Sequence, residues 1–260
     1  MLYCEVYGSV FNKAAISIRN QQCYFKVLNL VINKLIDKLK VNKDVLKNET
    51  CTEFEVDNWI ISRFVTKKLI PIVGIHPFPI SELSLMSAAV CWSKPTHIFE
   101  WGTNIGKSAR IFYETCKYFK ISTEIHSIDL PDHEAHVEHP KNKRGMLVKG
   151  KTNVFLYQGD GLENSLTLIK KISKPIRPLF FIDGDHSYDS VYRELKGILE
   201  NIINPHILLH DTFYQSEESH YNIGPFKAIE DVFKESTNKR FKKIITNIGL
   251  PGMTFMYTIT

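Results

Sequence analysis

The feature that most constrains the fold is a regular alternation of short apolar segments with amphipathic segments, which begins after Ser81. The apolar runs at 96–101 and 124–130 are separated by a segment of helical periodicity at 107–119, and the same arrangement recurs downstream. Short apolar strands that alternate with helices of about 10–15 residues are typical of a parallel sheet covered by helices on both faces. The sequence therefore predicts a doubly wound α/β fold.

The predicted sheet ends in strands of opposite direction. The segments 242–249 and 253–259 are joined only by the tripeptide LPG, so we expect them to form an antiparallel hairpin. The expected architecture is Rossmann-like, seven-stranded and mostly parallel, with this hairpin at its C-terminal end. The other predicted strands are 96–101, 124–130, 154–158, 179–183 and 206–211, and the predicted helices are 82–92, 107–119, 162–172 and 187–202.

The N-terminal part of the chain has a different pattern. Apolar residues recur at helical spacing over 24–39, with lysines on the other face, which favours a helix packed on the core or on a second subunit over one lying on a membrane. A turn-rich stretch, PIVGIHPFPIS at 71–81, follows it. We therefore predict an N-terminal helical extension at 1–78, serving as a cap or as a homo-oligomer contact, and a ligand-binding domain at 79–260.

Composition excludes several classes of protein. The net charge is +5, but the lysines are scattered, which indicates a mildly basic surface and not a nucleic-acid footprint. The five cysteines include no CxxC pair, so a reducing compartment is favoured over a disulfide framework. Polar residues interrupt the N-terminus early, and no apolar run approaches the roughly 20 residues that span a bilayer. We expect a cytoplasmic protein with no membrane or nucleic-acid partner.

The turn after the first predicted strand is the first candidate for a ligand site, because ligands of doubly wound sheets bind beyond the carboxyl ends of the strands. Its glycines let the backbone approach a ligand closely, and amides at the start of the next helix can hold an acceptor group. The candidates in this turn, within the sequence FEWGTNIGKS, are Glu100, Gly102, Thr103, Asn104, Gly106 and Ser108.

Acidic residues end the next three strands. Asp129 follows the second strand, where a carboxylate can accept hydrogen bonds from two ribose hydroxyls. Asp160, followed by Gly161, ends the third strand, where an adenine amino group can be met. Asp183 ends the fourth strand and completes the predicted cofactor set.

Three nucleotide interpretations compete for the first turn. A Walker A loop is excluded by spacing, because Gly102 comes one position too late relative to Gly106. A dinucleotide fingerprint requires glycine where Asn104 stands. S-adenosylmethionine carries no phosphate and does not need that glycine, and Glu100 can serve its cationic amino-acid end directly or through water. The residues therefore favour S-adenosylmethionine.

Successive motifs along the chain resemble those of class I S-adenosylmethionine-dependent methyltransferases. The motifs are FEWGTNIGKSARIF, SIDL, YQGDG, FIDGDHSYDSVYRELKGIL, ILLHDT and NIGPFKAIEDVF, and together they span about 80–260. They are most similar to methyltransferase family 24, near the metal-dependent O-methyltransferases of macrolide sugars and the cephalosporin-hydroxylase group. Asn104 departs from the commoner glycine. The resemblance implies methylation of a hydroxyl on a sugar, glycan or small natural product.

The fourth and fifth strands end in a cluster of acids and histidines. Asp183, Asp185 and His186 should face His210 and Asp211, and carboxylates that converge without a cation repel one another. Such a site suits Mg²⁺, while the histidines raise Mn²⁺ or Fe²⁺ as alternatives. The resemblance carries the metal to Asp211 with Asp183 or Asp185.

The chemistry expected at this cluster is removal of the proton from the acceptor hydroxyl. His186 lies at the start of a helix, where the helix dipole favours the neutral imidazole that accepts a proton. We therefore predict that His186 is the general base, with Asp183 beside it, and that vicinal hydroxyls of the acceptor chelate the metal.

Simpler interpretations of the same residues remain open. Asp185 or Ser187 can cap the following helix, and His210 can be a core histidine satisfied by a neighbour. The stretch 131–145, with His133, His136 and His139, resembles a metal site but favours a mobile lid. At the level of the whole protein, the alternatives are an NAD-dependent oxidoreductase on the same fold and a non-catalytic S-adenosylmethionine-binding module.

Overall fold

The structure, a computed structural model, describes residues 56–134, 136, 140–219, 222–235, 241–246 and 248–258. The chain divides into two units, Met1–Asp44 and Val45–Thr260, and all of the described residues belong to the second. The helix predicted at 24–39 lies outside the described residues. The domain boundary predicted at 78/79 and the oligomer contact stay predictions.

A single seven-stranded sheet organises the described part of the chain, as predicted. Its strand order is β3-β2-β1-β4-β5-β7-β6. The first five strands are parallel, and β7 runs antiparallel to both β5 and β6, which confirms the C-terminal hairpin. The strands are β1 (His97–Trp101), β2 (Glu124–Asp129), β3 (Val154–Gln158), β4 (Pro178–Ile182), β5 (His206–His210), β6 (Phe241–Ile245) and β7 (Met253–Thr258).

Helices cover both faces of this sheet. A short π-helical turn, Val65–Leu69, joins the first two of them. None of the described helices is long and apolar enough to cross a membrane. The helices are α1 (Asn58–Phe64), α2 (Ile70–Val73), α3 (Ile80–Ser93), α4 (Lys107–Phe119), α5 (Gly161–Lys171), α6 (Tyr188–Asn201) and α7 (Gly224–Lys234).

The two faces of β4 explain why its sequence is apolar throughout. Successive side chains of a strand point to opposite faces, and all five residues of β4 are buried. Phe181 packs against Phe112, at 5.4 Å between ring centroids, in the core cluster on one face. Phe180 packs against Phe99, at 5.6 Å, in the cluster on the other face. A strand between two cores has no polar face, so its polar residues appear only where it ends.

The strand order reverses direction between β1 and β4, and this is the topological switch point of the sheet. The chain leaves β1 towards β2 and β3 on one side and returns through β4 and β5 on the other. In doubly wound sheets the ligand crevice lies at this point, beyond the carboxyl ends of the strands. The fold therefore places the turn after β1 beside the acidic residues that follow β4 and β5.

Candidate active site

Gly102 brings the ends of β1 and β4 together. Its φ of +93° is in the region that favours glycine, and a Cβ at this position would collide with the carbonyl oxygen of Asp183. Its amide also donates to the carbonyl of Ile128, at 2.9 Å. The close approach of two backbones is therefore sufficient to require this glycine, and its predicted contact with a cofactor stays a prediction.

Glu100 is fully buried beneath the turn. Burial raises the pKa of its carboxyl to about 8, so it holds its proton at neutral pH. The Ser127 hydroxyl donates to this carboxyl, and the Ser127 and Thr103 hydroxyl oxygens lie 2.6 Å apart. Glu100 thus connects to the turn through a chain of two hydroxyls. Thr103 and Ser108, two further predicted residues, are also buried here.

Asp129 ends β2 as predicted, but its carboxylate already has partners. The Asn104 amide donates to Oδ2 at 3.2 Å, and Arg144 Nε lies 3.0 Å from the same oxygen. The Asp129 and Arg144 side chains are each only 9% exposed. Asn104 itself has a φ of +44°, so it adopts the left-handed conformation without being glycine. A ribose at Asp129 would have to share the carboxylate with Arg144 or displace it.

Asp160 and Gly161, the predicted adenine contacts, begin α5. The Asp160 carboxylate caps this helix by accepting from the Glu163 amide at 2.9 Å, and Arg193 Nη2 lies 2.6 Å from its other oxygen. Burial raises the pKa of Asp160, but these two partners outweigh burial and lower it overall. A Cβ on Gly161 would collide with the ring of Trp101. Both residues therefore have structural contacts, and their role in adenine binding stays a prediction.

A histidine cation lies at the centre of the acidic cluster. His210 Nδ1 is 2.9 Å from Asp183 Oδ1, and His210 Nε2 is 3.0 Å from Glu82 Oε2. Burial alone would lower the pKa of His210, but the carboxylates of Asp183, Glu82 and Asp211 raise it to about 10, so the ring is charged at neutral pH. The expectation that these carboxylates converge without a cationic partner was therefore wrong, and His210 is a satisfied buried histidine.

Glu82 is a site residue that sequence reasoning missed. It belongs to α3, it is 1% exposed, and its second oxygen accepts from the Gly252 amide at 2.8 Å. The available signal was a single charged residue within the otherwise uncharged segment ISELSLMSAAVCW. A buried acid in such a helix must find partners, but the sequence does not say which.

Asp183, His210 and Asp211 form a group whose possible ligand atoms all lie within 4.8 Å of one another. Both nitrogens of His210 are engaged by carboxylates, so this imidazolium does not fit a metal as it stands. Asp183 and Asp211 do fit, since a hard cation such as Mg²⁺ binds through one or two carboxylates. The backbone at Asp211 is left-handed, with a φ of +55°.

Asp185 is outside this group. It is exposed, and its carboxylate accepts from the Ser187 amide at 2.9 Å and from the Ser187 hydroxyl at 3.0 Å. Ser187 in turn caps α6. Of the two acids predicted as alternative ligands, the geometry brings Asp183 to Asp211 and leaves Asp185 in a local turn.

His186 lies between Asp211 and an open cavity. Its Nδ1 is 3.3 Å from Asp211 Oδ2, and the side-chain amide of Asn222 donates to the same oxygen at 3.3 Å. The cavity has a volume of about 590 Å³. It is lined by His186, Ser187, Tyr188, Asn222, Ile223, Gly224 and Lys227. A carboxylate that holds one ring nitrogen leaves the other nitrogen available for proton transfer.

The predicted lid at 131–145 is tied to the glycine turn at its C-terminal end. The Gly145 amide donates to the Asn104 carbonyl at 2.9 Å, and the Leu147 amide donates to the Ile105 carbonyl at 3.0 Å. His133 is exposed, and His139 lies outside the described residues. Mobility of this segment stays a prediction, and metal binding by its histidines stays the alternative to it.

Comparison with known families matches one part of the chain to a family model. Residues 99–212 match a family described as a methyltransferase domain, family 24 of the methyltransferases. The matched region runs from within β1 to the residue after Asp211, so it contains the carboxyl ends of β1 to β5. This part of the chain is therefore similar to a methyltransferase domain, which is the family that the motifs predicted. No curated protein sequence matches the chain.

Solved O-methyltransferase structures share the fold. One from Bacillus cereus, in complex with SAH, has a TM-score of 0.51 at 13% identity, over 86% of this chain and 97% of that one. The enzyme of tomaymycin synthesis from Streptomyces achromogenes, in complex with SAM, has a TM-score of 0.50 at 12% identity, over 79% and 91%. A TDP-rhamnose 3'-O-methyltransferase of calicheamicin biosynthesis has a TM-score of 0.50 at 13% identity, over 77% and 92%.

The substitution Glu100→Gln tests the protonation of the buried carboxyl. Its folded pKa of about 8 lies above the ordinary 4.5, so the folded chain keeps a proton that the unfolded chain loses. Stability should therefore fall as pH rises from about 4.5 to about 8. A neutral glutamine has no such dependence. We expect the melting temperature of Glu100→Gln minus that of wild type to increase as pH rises from about 4.5 to about 8. Above about pH 8 this difference should stay constant. If the melting-temperature difference between variant and wild type does not vary with pH, Glu100 is ionised in the folded chain across this range.

Proposed function

We propose that the protein is an S-adenosylmethionine-dependent O-methyltransferase that acts on a hydroxyl of a sugar, glycan or other small natural product, with assistance from a divalent metal. The observation that carries the proposal is that His186, paired with Asp211 at 3.3 Å, lines a cavity at the carboxyl ends of the strands, within the region that matches a methyltransferase domain. Structures of the same fold contain SAH or SAM, and one is an enzyme that methylates TDP-rhamnose.

The cofactor would bind along the ends of β1, β2 and β3. S-adenosylmethionine supplies a methyl group already activated by its sulfonium, so the chain has to bind and orient it. The Glu100–Ser127–Thr103 hydrogen-bond chain supports a role for this turn at the amino-acid end of the cofactor. Asp129 would accept hydrogen bonds from the ribose hydroxyls. Arg144 would then share the Asp129 carboxylate with the ribose or be displaced from it. Asp160 and Gly161 would contact the adenine.

Asp183 and Asp211 would hold the metal, Mg²⁺ or Mn²⁺. When bound there, a divalent cation lowers the pKa of an acceptor hydroxyl that coordinates it. His210 fixes the position of Asp183 through the 2.9 Å ion pair, and Glu82 fixes His210 in turn. Since both carboxylates lie beside the same imidazolium, their orientation is set before any cation enters.

His186 would remove the proton from the acceptor hydroxyl. Asp211 holds its Nδ1, and the ring borders the cavity in which an acceptor of a few hundred Å³ can fit. An alcohol is a weak nucleophile until it is deprotonated, so a base at this position is required for transfer to oxygen. No contact in the described part of the chain favours the oxidoreductase or the non-catalytic alternative. The cytoplasmic location and a homo-oligomer formed through 1–78 belong to the same proposal.

The cofactor is tested by thermal shift with S-adenosylhomocysteine. It should raise the melting temperature of the wild-type chain, and NAD should not. Asp129→Ala should lose most of the shift, because each lost hydrogen bond to a buried polar group costs about 1–3 kcal/mol, or about 5–150-fold in affinity. Arg144→Ala is the matched control: it breaks the same ion pair but keeps the carboxylate, so it should keep the shift. An equal loss in both variants would assign the effect to ordering of the 131–145 segment.

The metal is tested in the methyl-transfer assay. Asp211→Asn should keep the left-handed backbone, which asparagine tolerates, but abolish transfer, because a neutral amide is a poor ligand for a hard cation. EDTA should abolish wild-type activity, and Mg²⁺ added alone should restore it. Asp185→Asn, which alters only the local turn, should remain active. Full activity in EDTA would remove the metal from the mechanism while leaving methyl transfer intact.

The base is tested by substitution and chemical rescue. His186→Ala should lower kcat by about 10²–10⁴-fold with little change in cofactor affinity, as is typical for loss of a general base. Added imidazole should restore part of the rate, because it can enter the space left by the ring and accept the proton. A variant that keeps most of its rate, or one that imidazole does not rescue, would make His186 a structural residue.

A further inference from the structure

A second group of possible metal ligands lies at the amino ends of the parallel strands, whereas the proposed active site lies at their carboxyl ends. His97 is the first residue of β1 and Glu124 is the first residue of β2, and the two are paired in register. His126 lies two positions after Glu124 and therefore points to the same face. One possible ligand atom of each residue lies within 4.8 Å of the others.

Both imidazoles turn the same nitrogen towards Glu124. His97 Nε2 is 3.8 Å from Glu124 Oε2, and His126 Nε2 is 3.6 Å from that oxygen. The Nδ1 atoms are occupied on the other side of each ring: that of His97 lies 3.0 Å from Thr96 Oγ1, and that of His126 lies 3.1 Å from Tyr157 OH. Histidines that ligate metals are typically held in this way, with the second nitrogen hydrogen-bonded to a protein group.

His126 has a buried ring nitrogen without a hydrogen-bond partner among the described residues, and a bound metal would provide one. The residue is 5% exposed, and its Nε2 is buried without a hydrogen-bond partner among the described residues. A buried polar atom left unpaired is costly, so each case in a native structure calls for an explanation. The nitrogen faces Glu124 Oε2 at 3.6 Å, just beyond hydrogen-bond distance.

Aromatic rings surround His126 within the sheet. Phe99 and Phe155 stack on His126 with ring centroids 5.0 and 5.4 Å away. Glu124 is 55% exposed, so the group is open to solvent on one side and an ion can enter.

We propose that His97, Glu124 and His126 form a zinc-type metal site that is separate from the active site. Two imidazoles and one carboxylate suit Zn²⁺, whereas Mg²⁺ prefers oxygen ligands alone. Metal–ligand distances of about 2.0–2.2 Å in a tetrahedral site place ligand atoms about 3.3–3.5 Å apart. The two nitrogen–oxygen distances, 3.6 and 3.8 Å, need only a small contraction to reach it.

The site would join the amino ends of β1 and β2 and leave a fourth position for water. It would act as a structural link between two strands of the central sheet, because three ligands from two neighbouring strands restrain both. This role is independent of the proposed methyl transfer, since none of the three residues borders the switch point.

The experiment is zinc binding to the full chain, stripped of metal and then held in excess Mg²⁺ so that any hard-cation site is filled. Zinc affinity is measured by competition with a chromophoric chelator, and zinc-induced stabilisation by thermal melts. Glu124→Gln and His97→Gln should each weaken binding at least about 100-fold, more than the 10–100-fold typical for loss of an outer partner. Zinc should raise the melting temperature of wild type and not of the variants.

Glu134→Gln provides the matched control. Glu134 also faces a histidine, with His133 Nε2 at 3.6 Å from its carboxylate, but it lies on the exposed 131–145 segment. This variant should bind one zinc with wild-type affinity. Equal zinc binding by wild type, Glu124→Gln and His97→Gln would overturn the proposal. So would loss of binding in Glu134→Gln alone, which would place the ion on the 131–145 segment.

Discussion

The ion pairs of His210 are the interactions on which the carboxyl edge of the sheet depends. The ring connects β5 to Asp183 after β4, at 2.9 Å, and to Glu82 of α3, at 3.0 Å. A buried charge of this kind is tolerated only when it is paired and hydrogen-bonded, and removing one partner is costly. Glu82 extends the network to the Gly252 amide, at 2.8 Å. One imidazolium therefore fixes the relative positions of a helix, two strand ends and the turn before β7.

The fold was predictable because a parallel sheet covered on both faces gives its strands an unbroken apolar sequence. The apolar run that contains Phe180 and Phe181 can be recognised as a strand without knowing which residues it contacts. Each of its two faces packs against a separate hydrophobic cluster, so every residue is apolar. The errors in the predicted strands lie at the residues where the strands end. The fifth strand was predicted to include Asp211, but β5 ends at His210, and Asp211 has a left-handed backbone. A left-handed residue cannot continue a strand, and nothing in the letters ILLHD reveals it.

The sequence predicted which residues lie at the site but not which residues they contact. Residues that follow strands could be assigned to one edge of the sheet from topology alone, and Asp183, His210 and Asp211 do lie together there. Their partners could not be assigned, because the partners come from elements distant in the chain. Glu82 is 128 positions away from His210, and Arg144 approaches Asp129 from a segment without periodicity. Pairing at such distances is decided by packing, which a single sequence does not report.

Two histidines in the same sheet show how packing, and not residue type, assigns chemistry. His210 lies among carboxylates, which raise its pKa to about 10 and leave both nitrogens engaged. His126 lies among aromatic rings, and its burial lowers the pKa to about 4, with Nε2 unpaired in the described part of the chain. The first is a cation that orients acids, and the acids beside it suit a hard metal. The second is a neutral donor and suits a softer one. The proposed magnesium site at the carboxyl ends of the strands and the proposed zinc site at their amino ends therefore differ because different groups surround each ring.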